Sequence, residues 1–100
     1  MVYITVKDRR EARKIGKKLV KSRLAACVNI IEGMNSLYFW EGKLRDDEEV
    51  ILIAKTRASL VSELIEEVRA MHSYRCPSIV SLPIEDGNDE FLDWIAEETG

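Results

Sequence analysis

The sequence predicts an α+β domain of order βαββαβ with one further helix, a four-stranded antiparallel sheet that carries two helices on one face. Three observations predict it. Short apolar or alternating runs at Val2 to Val6, Leu24 to Ile31, Val50 to Ala54 and Ile79 to Ile84 are separated twice by stripes spaced three and four residues apart. The two middle strands, Ala25 to Trp40 and Lys43 to Thr56, are joined only by Glu41-Gly42, so they must form a hairpin. One hundred residues at 46% hydrophobic content are enough for one buried core and too few for two, so residues 1–100 read as a single domain.

Each element has a local cause. Val2 to Val6 is a short apolar strand, and Asp8 can accept from the first free amides of a helix whose stripe is Ala12, Ile15, Leu19 and Val20. Glu32-Gly33 interrupts the second strand where a bulge lets a long strand coil, and Gly42 supplies the positive φ of a tight reversal. Leu60, Val61, Leu64, Ile65 and Val68 form the stripe of a second helix that ends near His72. Ile79 to Ile84 is the last strand, closed by Pro83, which cannot donate to a ladder. Gly87-Asn88 starts the terminal helix, with Asp89 and Glu90 against its positive end and Phe91, Leu92 and Ile95 as docking residues.

The hairpin is too long for its own core. Sixteen extended residues reach roughly 50 Å, whereas a compact 100-residue domain has a radius of gyration near ~13 Å. The overhang leaves edges and apolar faces such as Leu37, Phe39 and Ile51 in water, and Val50 to Ala54 is apolar on both alternating sets. Further copies of the chain are the expected cover.

Bulk composition narrows the function classes. The net charge is −3, yet most basic residues lie between Lys7 and Arg23, while Glu85 to Glu98 holds acids and no base. Solvated faces are the expected reading of both. No run of eighteen apolar residues offers a membrane span, and Met1 to Val6 does not resemble a secretory leader, so the expectation is a cytoplasmic protein with Cys27 and Cys76 reduced. A charged content of 33% and the absence of Gln suit a heat-stable protein.

Several motifs stand in order along the chain: Arg23-Leu24-Ala25-Ala26-Cys27-Val28-Asn29, Ser36-Leu37-Tyr38-Phe39-Trp40-Glu41-Gly42-Lys43, Glu49-Val50, Lys55-Thr56, His72-x-Tyr74-x-x-Pro77 and Leu92-x-Trp94. Together they resemble the CutA family of divalent-cation tolerance proteins over nearly the whole length. The resemblance implies a ferredoxin-like protomer, a homotrimer with hairpins crossing between subunits as in PII signalling proteins, a link to tolerance of copper and other divalent cations, and no enzymatic reaction. The chain departs from the family pattern at the metal-relevant segment. The usual His-Pro-Tyr-Glu-x-Pro stands here as His72-Ser73-Tyr74-Arg75-Cys76-Pro77, and the first-strand Cys and second His of copper-associated members are Ile4 and Met71.

Candidate sites follow from residue chemistry. His72 is a possible copper or zinc ligand, but a first-row site takes three or four donors, and only Cys76 or Met71 stands nearby in sequence. The alternative is a histidine at a helix C-terminus that bonds the last carbonyls. Cys27, between alanines and valine, reads as a small buried hydrophobe. Lys55 on an apolar strand needs a carboxylate, Glu49 or a neighbour's acid, or a bound anion. Trp40, Tyr38 and Tyr74 suit an interface or a ligand pocket. The ligand-groove residues expected between subunits are Trp40, Lys55 and Tyr74, with His72 as the metal candidate and no cofactor required. Asp46 to Glu49 reads as a solvated charge run, since it lacks the glycine and bidentate acid of a calcium loop.

Two other function classes fit poorly. An acyl-phosphate hydrolase needs a phosphate cradle that no Gly-rich loop here provides. Nucleic-acid binding, suggested by the basic segment from Arg9 to Arg23, lacks stacking aromatics on Ile51-Leu52-Ile53-Ala54.

Overall fold

The computed structural model describes residues 1–100 as β1 (Val2–Val6), α1 (Arg9–Lys21), β2 (Cys27–Trp40), β3 (Lys43–Lys55), a 3-10 turn (Ala58–Leu60), α2 (Val61–Met71), β4 (Ile79–Ser81) and α3 (Asp89–Glu98). One sheet has the order β2-β3-β1-β4 with every neighbouring pair antiparallel, the ferredoxin-like arrangement expected from the element order. Its inward parity is Val2, Ile4 and Val6 on β1 and Val50, Leu52 and Ala54 on β3. These pack with Ala12, Ile15 and Leu19 of α1 and Leu64 and Val68 of α2. The opposite parity, including Tyr3, Cys27, Ile31, Ile51, Ile53, Lys55 and Val80, forms the face away from α1 and α2.

Helix α1 starts where Asp8 accepts the Glu11 amide at 2.8 Å. It lies so close to the sheet that a Cβ on Gly16 would meet Val28 Cγ2 at 2.8 Å. Its buried stripe is Ala12, Ile15, Gly16 and Leu19, so Val20, expected on that stripe, points outward and is exposed.

The hairpin projects. Strands of 14 and 13 residues run about 45 Å at the usual rise, and the protomer measures 45 × 25 × 21 Å with a radius of gyration of 14.1 Å. The register of β2 against β3 shifts between Ile31 and Met34, where Gly33 has φ +83°. At the tip Glu41 and Gly42 have φ 51° and 78°, so both turn residues adopt the left-handed conformation of a two-residue reversal, not Gly42 alone.

The C-terminal third differs from the sequence reading in two places. Strand β4 is Ile79–Ser81 and stops short of Ile84, because Pro83 brings no amide; the last pairing is Leu82 N–H to Met1 O at 2.7 Å. Helix α3 is capped by Asn88, which accepts the Glu90 amide at 3.0 Å, and docks through Ile95. Phe91, expected to dock, is exposed and stacks on Trp94 with ring centroids 5.6 Å apart. The same end is held by Arg57 donating to Thr99 O and by the Arg23–Glu98 ion pair.

Candidate functional site

The segment His72–Ser78 leaves the end of α2 and crosses the sheet where β1 ends and the hairpin begins to project. There it closes a cleft of about 880 Å³ lined by Tyr38, Trp40, Tyr74 and Cys76, by the cations Lys7, Arg45 and Arg75, and by Asp47, Glu48 and Glu49. The hairpin brings Tyr38 and Trp40 to this place because the shift at Gly33 puts them on the same face as Met34 and Glu49.

His72 organises the crossing segment. It stands at the C-terminus of α2, where its backbone amide, not its side chain, bonds Val68 O at 2.9 Å. Its imidazole reaches away from the last carbonyls of the helix and into the sheet. The side chain is fully buried, Nε2 lies 2.7 Å from Thr5 O, and Nδ1 accepts the Tyr74 amide at 3.0 Å. That pattern needs the proton on Nε2 and leaves neither nitrogen a lone pair to spare for a metal. Glu11 lies behind it, its Oε2 accepting the Ser73 amide at 3.1 Å and its Oε1 buried without a partner, 3.8 Å from His72 Nδ1.

Tyr74 then turns its ring against His72, centroids 4.9 Å apart, and donates its hydroxyl to Glu49 Oε2 at 2.8 Å. Burial pushes the Tyr74 hydroxyl up from its ordinary value, and the adjacent Glu49 carboxylate pushes it further. Tyr38 donates to Asp47 Oδ2 at 2.6 Å, and that bond holds its hydroxyl up as well. Asp46 to Glu49 is therefore not a uniformly solvated run: Glu49 is 6% exposed. The sequence reading gave Glu49 no place in the cleft, although its parity with Ile51 and Ile53 assigns it to the open face. Glu11 was missed too; it is the only acid inside a strongly basic helix.

The other expected site residues separate. Trp40 and Tyr74 line the same cleft, but Lys55 lies at the far end of β3, opposite Cys27. Within the protomer Glu49 is not its partner; Lys55 Nζ stands 5.4 Å over the Phe91 ring, a cation–π contact. Cys27 is half-buried instead of enclosed, since its side chain is on the face away from α1 and α2. Cys76 is exposed along the cleft, and Met71 packs against the core. No three His, Cys, Asp or Glu side chains of one protomer cluster closely enough to hold a metal ion.

These features define a ferredoxin-like α+β protein with a projecting hairpin and an aromatic, mixed-charge cleft at its base. The chain belongs to the family described as CutA1 divalent ion tolerance protein, whose model matches residues 1–98. It is 49% identical over 100 residues to the divalent-cation tolerance protein CutA of Thermus thermophilus, covering 100% of this chain and 97% of that one. It is 46% identical to the chloroplastic protein CutA of Arabidopsis thaliana, but spans only 54% of that longer chain. The solved Thermus thermophilus structure matches 99% of this chain and 96% of its own with a TM-score of 0.95. The Archaeoglobus fulgidus structure, described as a periplasmic divalent cation tolerance protein CutA, matches 99% and 96% at 46% identity with a TM-score of 0.96. No helix is long and apolar enough to cross a membrane.

Proposed function

We propose that this protein is a non-enzymatic homotrimer, active in the cellular response to divalent metal ions, whose cleft at Trp40 and Tyr74 becomes a small-ligand groove between subunits, in the manner of PII signalling scaffolds. The observation that carries the reading is the uncovered hairpin. Leu37, Phe39 and Leu44 are 65%, 74% and 64% exposed on the projecting arms, β2 is a 14-residue edge strand, and Ile51 and Ile53 are only half-buried on the sheet face away from α1 and α2. A long exposed edge with apolar arms invites pairing with another chain. In the assembly, Lys55 of one copy meets the groove of another.

The ligand follows from the cleft. Lys7 and Arg75 form no ion pair within the protomer, Glu48 and Glu49 line the same cleft, and Tyr38, Trp40 and Tyr74 offer planar surface, a combination that suits a small ligand with a flat part and both anionic and hydrogen-bond-donating groups. Direct binding of copper or another divalent cation, the other reading drawn from the family resemblance, is not supported at His72, whose two nitrogens are already bonded. A cytoplasmic address is part of the proposal, consistent with the two free cysteines.

Sedimentation equilibrium of the wild type tests the assembly, with three chains per particle expected; a folded monomer in dilute solution refutes it. Calorimetry with Cu²⁺ tests the site. Equal heats for wild type and His72→Asn are expected, and loss of binding in the variant would restore His72 as a ligand.

A further inference from the structure

A second cleft, of about 560 Å³, opens on the helix side between α3, the extended Leu82–Ile84 segment and the start of α2. It shares no residue with the cleft at Trp40 and Tyr74. Its walls are largely apolar, formed chiefly by Val61, Ile84, Leu92 and Ile95; Thr56, Arg57 and Ser62 make a polar end around the start of α2, and Met1 and Ser81 also line it. This division matches the usual small-molecule pocket, with an apolar body and a few convergent polar groups.

The polar end is built for an anion. The 3-10 turn that leads into α2 has no side-chain cap, and neither has α2 itself, so the free amides at the start of this continuous run carry positive partial charge without a protein acceptor. Arg57 stands beside them and uses one nitrogen on Thr99 O, leaving further donors. Ser62 adds a hydroxyl. Independently, Thr56 lines the same end, is 4% exposed, and its Oγ1 is buried without any hydrogen-bond partner. It continues the inward parity of Leu52 and Ala54, so its side chain lies on the helix side of the strand, against the lining of the cleft. An unpaired buried hydroxyl is costly, and an acceptor from a ligand removes that cost.

No carboxylate lines this cleft, although Glu85 to Glu98, which contributes Leu92 and Ile95, is rich in acids. A cation is therefore disfavoured. We propose that the cleft binds a small aliphatic carboxylate, its head at Thr56, Arg57 and Ser62 and its chain between α3 and Ile84. One guanidinium and one helix start balance a single negative charge, and the apolar walls supply the area that a bare inorganic anion leaves unused.

The test uses the intact protein in its native assembly, with amide chemical shifts of Ala58, Ser59 and Ser62 as the readout and hexanoate, hexanol and acetate as probes. Saturable shifts with hexanoate, and much weaker ones with hexanol or acetate, are expected. Ser62→Glu puts a negative charge where the head sits while favouring the helix start, so it should weaken hexanoate about tenfold or more. Leu92→Trp fills the apolar end and should remove the advantage of hexanoate over acetate. The proposal is overturned by an absence of saturable shifts, by hexanol or acetate matching hexanoate, or by either variant binding hexanoate as the wild type does.

Discussion

Replacing His72 with alanine tests whether this histidine is the keystone of the crossing segment. The imidazole is fully buried, donates to Thr5 O at 2.7 Å and accepts from Tyr74 N at 3.0 Å. Truncation leaves two backbone groups without partners, each worth about 1–3 kcal/mol if it stays dry, and one side-chain-sized void. Water entering the void recovers part of this, so the net expectation is a loss of about 2–4 kcal/mol. Urea unfolding at one fixed protein concentration measures it and holds constant any contribution from association. His72→Asn keeps an acceptor for the Tyr74 amide two residues on, and His72→Gln keeps a donor toward Thr5 O. Each should recover about half of the loss. A cost for alanine below about 1 kcal/mol, or no rescue by either amide, refutes the reasoning.

Three more perturbations separate local from tertiary causes. Tyr74→Phe removes a hydroxyl whose folded-state pKa is raised above the unfolded value near 10 by burial and by Glu49. The wild type keeps that group's contribution below about pH 10 and loses it progressively as pH rises above it, so the variant should show a flatter alkaline limb in stability against pH. Gly16→Ala gains about 1 kcal/mol of helix propensity but drives a methyl into Val28 at 2.8 Å. Overpacking of about 1–3 kcal/mol should win, and the double variant with Val28→Ala should fare better than the two single losses added together, a coupling that a double-mutant cycle reads directly. Asp8→Ala removes the bond to the Glu11 amide and should cost about 1 kcal/mol in thermal or urea unfolding; no change would mean that water replaces the cap without loss.

Much of the fold was readable because its causes are local. The caps at Asp8 and Asn88, the bulge at Gly33 and the reversal at Gly42 depend on residues within a few positions, and each stands where the sequence put it. Errors arose where two faces competed. Val20 and Phe91 have the hydrophobicity of buried residues, but which side of a helix meets the sheet depends on how closely the pieces approach, and Gly16 sets that approach for α1. The candidate site was less legible. Trp40 and Tyr74 line one cleft, whereas Lys55, grouped with them from the sequence, sits at the other end of its strand, and Glu11 and Glu49 acquire their roles only through partners more than twenty positions away.

By itself the sequence determined the order of elements, the caps of α1 and α3, the family and the disproportionate hairpin, because periodicity, capping and turn chemistry act over short stretches of chain. Only the tertiary structure decided that His72 serves the backbone of β1 and the crossing segment instead of presenting a ligand. The direction of a side chain's lone pairs depends on which distant donor and acceptor the sheet brings beside it, and spacing along the chain carries no record of that.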